Sequence, residues 1–272
     1  MTRTVEFPGT TAVVTGGASG IGRGLARAFL DAGCSVVLAD VDETALAATA
    51  RELGVLGVRT DVTDPDSVAA LADRAVAEYG EVHVVCNNAG VGPFGPVARL
   101  ALEDWRWVLD VNLYGVVHGI QAFLPVLERN DDWGHVVNTS SMSVFVTPPD
   151  VGPYVASKAA VLGLSEVLAA ELAGAGSRVG VTALLPGAVH SNIKHSLRTR
   201  PASEGTGLHD VDLAATGRLR FIEPEEVGTM VVDAVRANDL YVVTHGEFRD
   251  RAAERAARID AAFPAAPVAA AD

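Results

Sequence analysis

The sequence is short of cysteine and of positive charge, and it has no long apolar run. Its two cysteines, Cys34 and Cys86, lie far apart and outside any C-x-x-C pair. That excludes a disulfide framework and a thiolate metal site, and leaves two small residues at the edges of apolar segments, expected to be buried. Lysine and arginine number 21 against 34 aspartates and glutamates, for a net charge of −13. Such a surface repels phosphate backbones, so nucleic acid is not an expected partner. No apolar run is long enough to span a bilayer, and Met1 to Gly9 lacks the basic-then-apolar layout of a signal peptide. No membrane is therefore expected, and the expected location is cytoplasmic. The seven histidines show no metal-ligand spacing. They read as surface or loop residues, and no metal is expected.

What is present is a 49% hydrophobic composition over 272 residues, which fits one packed globular domain. Short β-branched runs alternate with longer segments of helical spacing. The expected strands are Thr11–Thr15, Ser35–Ala39, Leu56–Thr60, Val82–Cys86, His135–Thr139, Val179–Leu184 and Leu240–Val243. The expected helices are Gly22–Ala32, Glu43–Leu53, Asp66–Tyr79, Leu102–Arg129, Val155–Ala173 and Pro224–Ala237. Asp64 and Asp104 look like helix starts, with Pro65 in the first turn. Strand and helix alternating in this way predict an α/β fold: a Rossmann-type, doubly wound parallel sheet of about seven strands with helices on both faces. Residues 188–220 lack a clear period and are long for a connection, which suggests a substrate lid. The Ala/Pro-rich end, 264–272, reads as a flexible tail.

Directly after the first strand comes Thr15-Gly16-Gly17-Ala18-Ser19-Gly20-Ile21-Gly22, and a helix follows. A pyrophosphate needs free backbone N–H groups at the positive end of a helix, with no side chains in the way. Gly16, Gly20 and Gly22 provide the turn, the close approach and the tight helix–strand contact, with Ser19 and Ile21 between them. The second strand ends at Asp40. A carboxylate there can accept hydrogen bonds from both adenosine ribose hydroxyls and repels a 2′-phosphate, with no arginine beside it in sequence. NAD is therefore expected over NADP.

With these residues in place, the chain resembles the short-chain dehydrogenase/reductase family over roughly Thr10 to Phe263. The ordered motifs are the glycine loop, Asp61-Val62, Asn87-Asn88-Ala89-Gly90, Asn112, Ser141, Tyr154-x-x-x-Lys158 and Pro186-Gly187. The resemblance implies that Asp61 and Val62 flank the adenine and that Asn88, Ala89 and Gly90 close the cofactor site. It also implies that Pro186-Gly187 passes beside the nicotinamide, with Val189 following to bond its carboxamide. Ser191 stands where many relatives carry threonine. Assembly as a homotetramer or homodimer is implied too, by pairing of the two longest helices.

The same residues follow from the chemistry of alcohol oxidation. Tyr154 and Lys158 are four apart in a helical segment, so they project from one face. A nearby ammonium favours the phenolate, which suits Tyr154 to act as general base in oxidation and general acid in reduction. Ser141, after the fifth strand, can hold the substrate oxygen; strand alternation points Ser140 elsewhere. Asn112, inside a long helix, can kink it and hold a water that links Lys158 to solvent. The expected substrate walls are Val91, Phe94, Met142, Val144, Phe145, Val151, Ile193 and Leu197, together with Leu208 and Leu213. Their apolar character favours a bulky hydrophobic alcohol or ketone. Ser191-Asn192-Ile193 with Arg200-Pro201 looks similar to the branch that oxidises benzylic alcohols of aryl ethers, and related branches act on terpenoid or steroid alcohols. The lid's Lys194, Arg198, Arg200, Arg218 and Arg220 read first as solvated charges and second as an anion site. Two alternatives stay open: an NADPH-dependent ketone reductase of a biosynthetic pathway, and an NAD-binding regulatory protein without turnover.

Overall fold

The computed structural model describes residues 5–201, 207–216 and 219–264. Arg218, and the tail beyond Pro264, lie outside the described residues. A seven-stranded sheet runs in the order β3-β2-β1-β4-β5-β6-β7. The strands are β1 (Thr11–Thr15), β2 (Ser35–Asp40), β3 (Leu56–Arg59), β4 (Val84–Asn87), β5 (Gly134–Thr139), β6 (Val179–Leu185) and β7 (Tyr241–Val243), and every pairing is parallel. The helices are α1 (Gly20–Asp31), α2 (Glu43–Leu53), α3 (Pro65–Tyr79), α4 (Leu102–Leu109), α5 (Gly115–Leu127), α6 (Ser143–Val146), α7 (Gly152–Gly174), α8 (Pro224–Ala237) and α9 (Arg249–Asp260). This is the expected doubly wound α/β fold.

Strand alternation builds two cores, one on each face. Val13, Val37, Val85, Val136 and Val181 point toward α3, α5 and α7, where they meet Leu71, Phe123 and Leu168. Val14, Leu38, Cys86, Val137 and Leu184 point the other way, onto Leu25 of α1 and Val227 and Val231 of α8. Burial on both faces is why these strands read as continuous apolar runs. Strand order reverses between β1 and β4, and this switch point opens a crevice at the carboxyl ends of the strands.

The structure departs from the sequence expectation at several places. The segment expected as one helix, Leu102–Arg129, is α4 and α5 joined by a π-helical turn, Asp110–Tyr114, and it ends at Leu127. Asp64 caps α3 through the Asp66 N–H, and Asp104 marks the start of α4 without being its N-cap residue. It stands at the third position of α4, accepting the Ala101 N–H at 2.9 Å, because its carboxylate is also needed by the lid. Residues 188–220 are not without structure: Asn192–Thr199 forms 3-10 turns broken at His195, and Ala214–Thr216 adds another. Helices α6 and α9 were not expected. His83, His135 and His245 are buried rather than on the surface, because polar partners are provided inside. For His135, Nε2 meets the Thr182 hydroxyl at 2.8 Å. Both cysteines are free and buried.

Candidate active site

The glycine loop between β1 and α1 is a cradle that side chains would fill. Gly16 has φ +63°, and a Cβ there would stand 2.8 Å from Ala89 Cα. A Cβ at Gly20, whose φ is +49°, would collide with the Ser191 side chain at 2.6 Å. Asn88 ties the loop down: its N–H donates to Thr15 Oγ at 2.9 Å and its side-chain amide to the Thr15 carbonyl at 3.0 Å. Thr15 Oγ also accepts from the Ala89 N–H at 3.1 Å. The loop is therefore braced by the end of β4, and the start of α1 faces open space.

That space is a cleft of about 500 Å³ lined by Gly16, Ser19, Gly20, Ile21, Gly22, Asp40, Asp61, Val62, Asn88, Ala89, Gly90, Tyr154, Lys158, Pro186 and Ser191. The structure brings together nearly all the expected cofactor residues. Gly187 and Val189 lie beside the cleft rather than in its lining. Gly187 donates its N–H to Thr244 Oγ at 3.0 Å, and Val189 is bridged to Ile222. At the far end, Asp40 accepts the Ala18 N–H at 3.1 Å and the Asp42 N–H at 3.0 Å. Burial raises its pKa, and those amide donors oppose the rise. The Asp61 carboxylate is taken by the Thr63 N–H and hydroxyl at 2.9 and 2.7 Å. Val62 packs on Gly115. The glycine cradle, the helix terminus and the long crevice fit a dinucleotide.

The other end holds the titratable groups. Tyr154 and Lys158 lie one turn apart on α7, with Lys158 Nζ 5.9 Å from the centre of the Tyr154 ring. Lys158 is buried and donates to the Thr139 carbonyl at 2.8 Å. Burial brings its pKa down to about 8. The same burial pushes the Tyr154 phenol up, while a hydrogen bond with the Ser141 hydroxyl lowers it. The Ser140 hydroxyl donates to the Lys158 carbonyl at 2.8 Å; residue 140 lines the cleft, and Ser141 reaches the site through its hydrogen bond with the Tyr154 phenol. Asn112 lies in the π turn, with Oδ1 accepting the Val91 N–H at 2.8 Å. Its amide donates to the Val91 carbonyl at 2.9 Å and to Ser157 Oγ at 3.1 Å. Asn112 therefore locks the strand that leaves β4 onto α7, directly behind Lys158.

The expected substrate walls separate into groups. Val91 and Ile193 line the cleft, and Ile193 lies over Gly92 beside the Tyr154 ring. Leu197 and Leu208 pack with Val91 and Val108 under the lid. Met142, Val144 and Phe145 form a separate cluster with Ala183, Leu185 and Phe248. Phe94 is bridged to His209 and Val151 to Gly95, and Leu213 is exposed. The described cations of residues 188–220 are paired: Lys194 with Asp212 at 2.7 Å, Arg220 with Glu247 at 3.0 Å, Arg198 with Asp42 at 3.4 Å, and Arg200 with Asp104 at 2.6 Å. Sequence reasoning missed Trp107 and Arg106 of α4 and the placement of Arg198 and Arg200, which all line the cleft. The Arg200 guanidinium stands 5.6 Å from the centre of the Trp107 ring.

The profile of the short chain dehydrogenase family matches residues 10–202. The chain belongs to this family. Among the relatives of this short-chain dehydrogenase is a 1-deoxy-11-beta-hydroxypentalenate dehydrogenase of Streptomyces exfoliatus, 40% identical over 88% of this chain and 84% of that one. A C alpha-dehydrogenase of Sphingobium sp. is 34% identical over 90% of this chain and 83% of its own length. A short chain dehydrogenase/reductase from Burkholderia phymatum, solved in complex with NAD, superposes with a TM-score of 0.89 at 37% identity, covering 97% and 99% of the two chains. The protein is thus an oxidoreductase by family. Among its described residues, no helix is long and apolar enough to cross a membrane.

Proposed function

We propose that this chain interconverts a secondary alcohol and a ketone with NAD as hydride carrier, acting on a bulky hydrophobic substrate. One juxtaposition carries the proposal: the Tyr154 phenol, bonded to Ser141 and one turn from buried Lys158, stands at one end of a cleft whose other end is closed by Asp40. Two relatives are named as dehydrogenases, one of them of a hydroxypentalenate, and a solved relative is named as a complex with NAD. Both facts favour an alcohol and this cofactor.

Bound NAD supplies the hydride acceptor and, in its oxidised form, a positive ring charge. Ser141 and Tyr154 hold the substrate oxygen between their hydroxyls. Tyr154 takes the alcohol proton at its phenolate oxygen in oxidation and returns it in reduction. Lys158, held by Thr139, places an ammonium near the phenol, where a positive charge favours the phenolate, and the Ser141 hydrogen bond opposes the effect of burial on Tyr154. Asn112 fixes the backbone of Val91 and so holds the wall that excludes water from this pair. Val91 and Ile193 present apolar surface next to Tyr154, which favours a hydrophobic substituent on the carbinol carbon.

Fluorescence titration with NADH and NADPH, followed by an absorbance screen of hydrophobic secondary alcohols with NAD, tests the proposal. Tighter NADH binding with NADH production from a bulky alcohol is expected. Preference for NADPH, or NADH binding without turnover of any alcohol or ketone, would overturn it.

A further inference from the structure

Asp40 is not the only charged group at the far end of the cleft. The lid places Arg198 along the same cleft, with a guanidinium nitrogen 3.4 Å from Asp42 Oδ2. Asp42 is tied to Asp40, because its N–H donates to Asp40 Oδ1 at 3.0 Å. Its other oxygen caps α2 by accepting the Ala45 N–H at 3.0 Å. Arg198 thus reaches, from a distant part of the chain, a residue two positions past the carboxylate proposed to read the adenosine ribose. The other described lid cations are engaged elsewhere: Lys194 on Asp212, Arg220 on Glu247, and Arg200 buried on Asp104.

We propose that Asp42 sequesters Arg198, and that this pairing works with Asp40 to set the preference for NAD over NADP. The inference rests on the NAD-dependent activity proposed above. A guanidinium fork matches a phosphate bidentately, so an arginine at this place is the natural partner of a 2′-phosphate. With Asp42 charged, an incoming 2′-phosphate meets two carboxylates and must take Arg198 from one of them. The side chains of Arg198 and Asp42 are 48% and 28% exposed, and an ion pair this open is weak. Arg198 is therefore held but recruitable. Removing the charge at position 42 leaves one carboxylate and frees a guanidinium to face the phosphate.

Asp42→Asn isolates the effect, because asparagine retains an oxygen for the α2 cap. NADH and NADPH dissociation constants are measured by fluorescence for the wild type, Asp42→Asn, Arg198→Met and the double variant, with circular dichroism checking the fold. The ratio of the NADPH to the NADH constant is expected to fall about tenfold in Asp42→Asn, the size of one charge-assisted hydrogen bond. That gain is expected to vanish when Arg198→Met is added. A gain that persists in the double variant would assign the effect to the Asp42 charge alone and overturn the inference. An unchanged ratio in Asp42→Asn would overturn it as well. If that variant misfolds, Asp42→Ser removes the charge and keeps a capping oxygen, with the same outcomes. A wild type that prefers NADPH would overturn the NAD proposal itself, and the inference with it.

Discussion

Lys158 carries opposite consequences for stability and for chemistry. It is 3% exposed, and burial lowers its pKa from 10.5 to about 8. Below pH 8 the residue is charged in both folded and unfolded chains, and its burial costs about 3 kcal/mol. As pH rises from 8 toward 10.5, the folded state sheds the proton first and the cost is relieved. Lys158→Met, which leaves only the Thr139 carbonyl unpaired, is expected to stabilise the fold at pH 7 by about 1–2 kcal/mol while abolishing turnover. Urea denaturation at pH 7 and pH 9.5 checks this: the advantage of the variant should shrink at the higher pH, and a less stable variant at pH 7 would contradict it. Tyr154→Phe is the complementary change. Its turnover should fall by at least about 10²-fold with NADH affinity within about threefold of the wild type, since the phenol oxygen serves proton transfer rather than cofactor binding. Because oxidation needs the phenolate and reduction needs the phenol, alcohol oxidation should rise with pH where ketone reduction falls; parallel profiles would remove Tyr154 from the proton path. Tyr154, Lys158, Ser141 and the glycines were legible because each has a fixed chemical duty at a fixed spacing. Arg198 was not, since its partner Asp42 is brought to it only by the fold.

At the scale of elements, two contacts between distant segments hold the walls of the site. The lid is pinned to α4 where Arg200, with its side chain 8% exposed, meets the fully buried Asp104. Asp104 also accepts the Gly207 N–H at 3.1 Å, so one carboxylate anchors both described sides of the lid. Arg200→Met is expected to destabilise the protein by about 3–5 kcal/mol, because it removes the guanidinium that faces a buried carboxylate. Adding Asp104→Asn should recover much of that loss, which a double-mutant cycle by chemical denaturation would measure; additive losses would mean that the two residues act independently. The second contact is the π turn. Asn112→Ala would leave the Val91 N–H and carbonyl and the Ser157 hydroxyl without their partner, a cost of about 2–4 kcal/mol. The periodicity of Leu102 to Arg129 reads as one helix, and Asn112 was the one residue that pointed to the local break the π turn makes. Asp104 serves the start of α4 and Arg200 together, and only the fold brings in the second partner.

The architecture of the whole molecule was the most legible level, since seven β-branched runs separated by helical segments admit few arrangements other than a doubly wound sheet. Helix α9 was the exception. None of its described residues is buried, so it has no apolar stripe to announce it, and Phe248 just before it supplies the contact with Met142 and Phe145. The apolar residues left outside follow a pattern of their own. Leu102 on α4 is 60% exposed, Tyr114 in the π turn 52% and Val167 on α7 55%, all on the long helices beside the site. On the edge strand β7, Tyr241 and Val243 are 49% and 48% exposed. An edge strand with exposed apolar side chains invites pairing, and exposed apolar positions on helix surfaces do the same. The chain is therefore expected to assemble as a homodimer or homotetramer through closed two-fold contacts, in which each patch meets its own copy. Light scattering at working concentration should give a dimer or tetramer mass, and a monomer would overturn the expectation. Val167→Asp places a charge on the exposed face of α7 without touching Tyr154, Lys158 or the cleft. It should lower the assembled mass while the isolated chain keeps its helical content, and an unchanged mass would transfer the interface to β7, where Val243→Lys is the corresponding test.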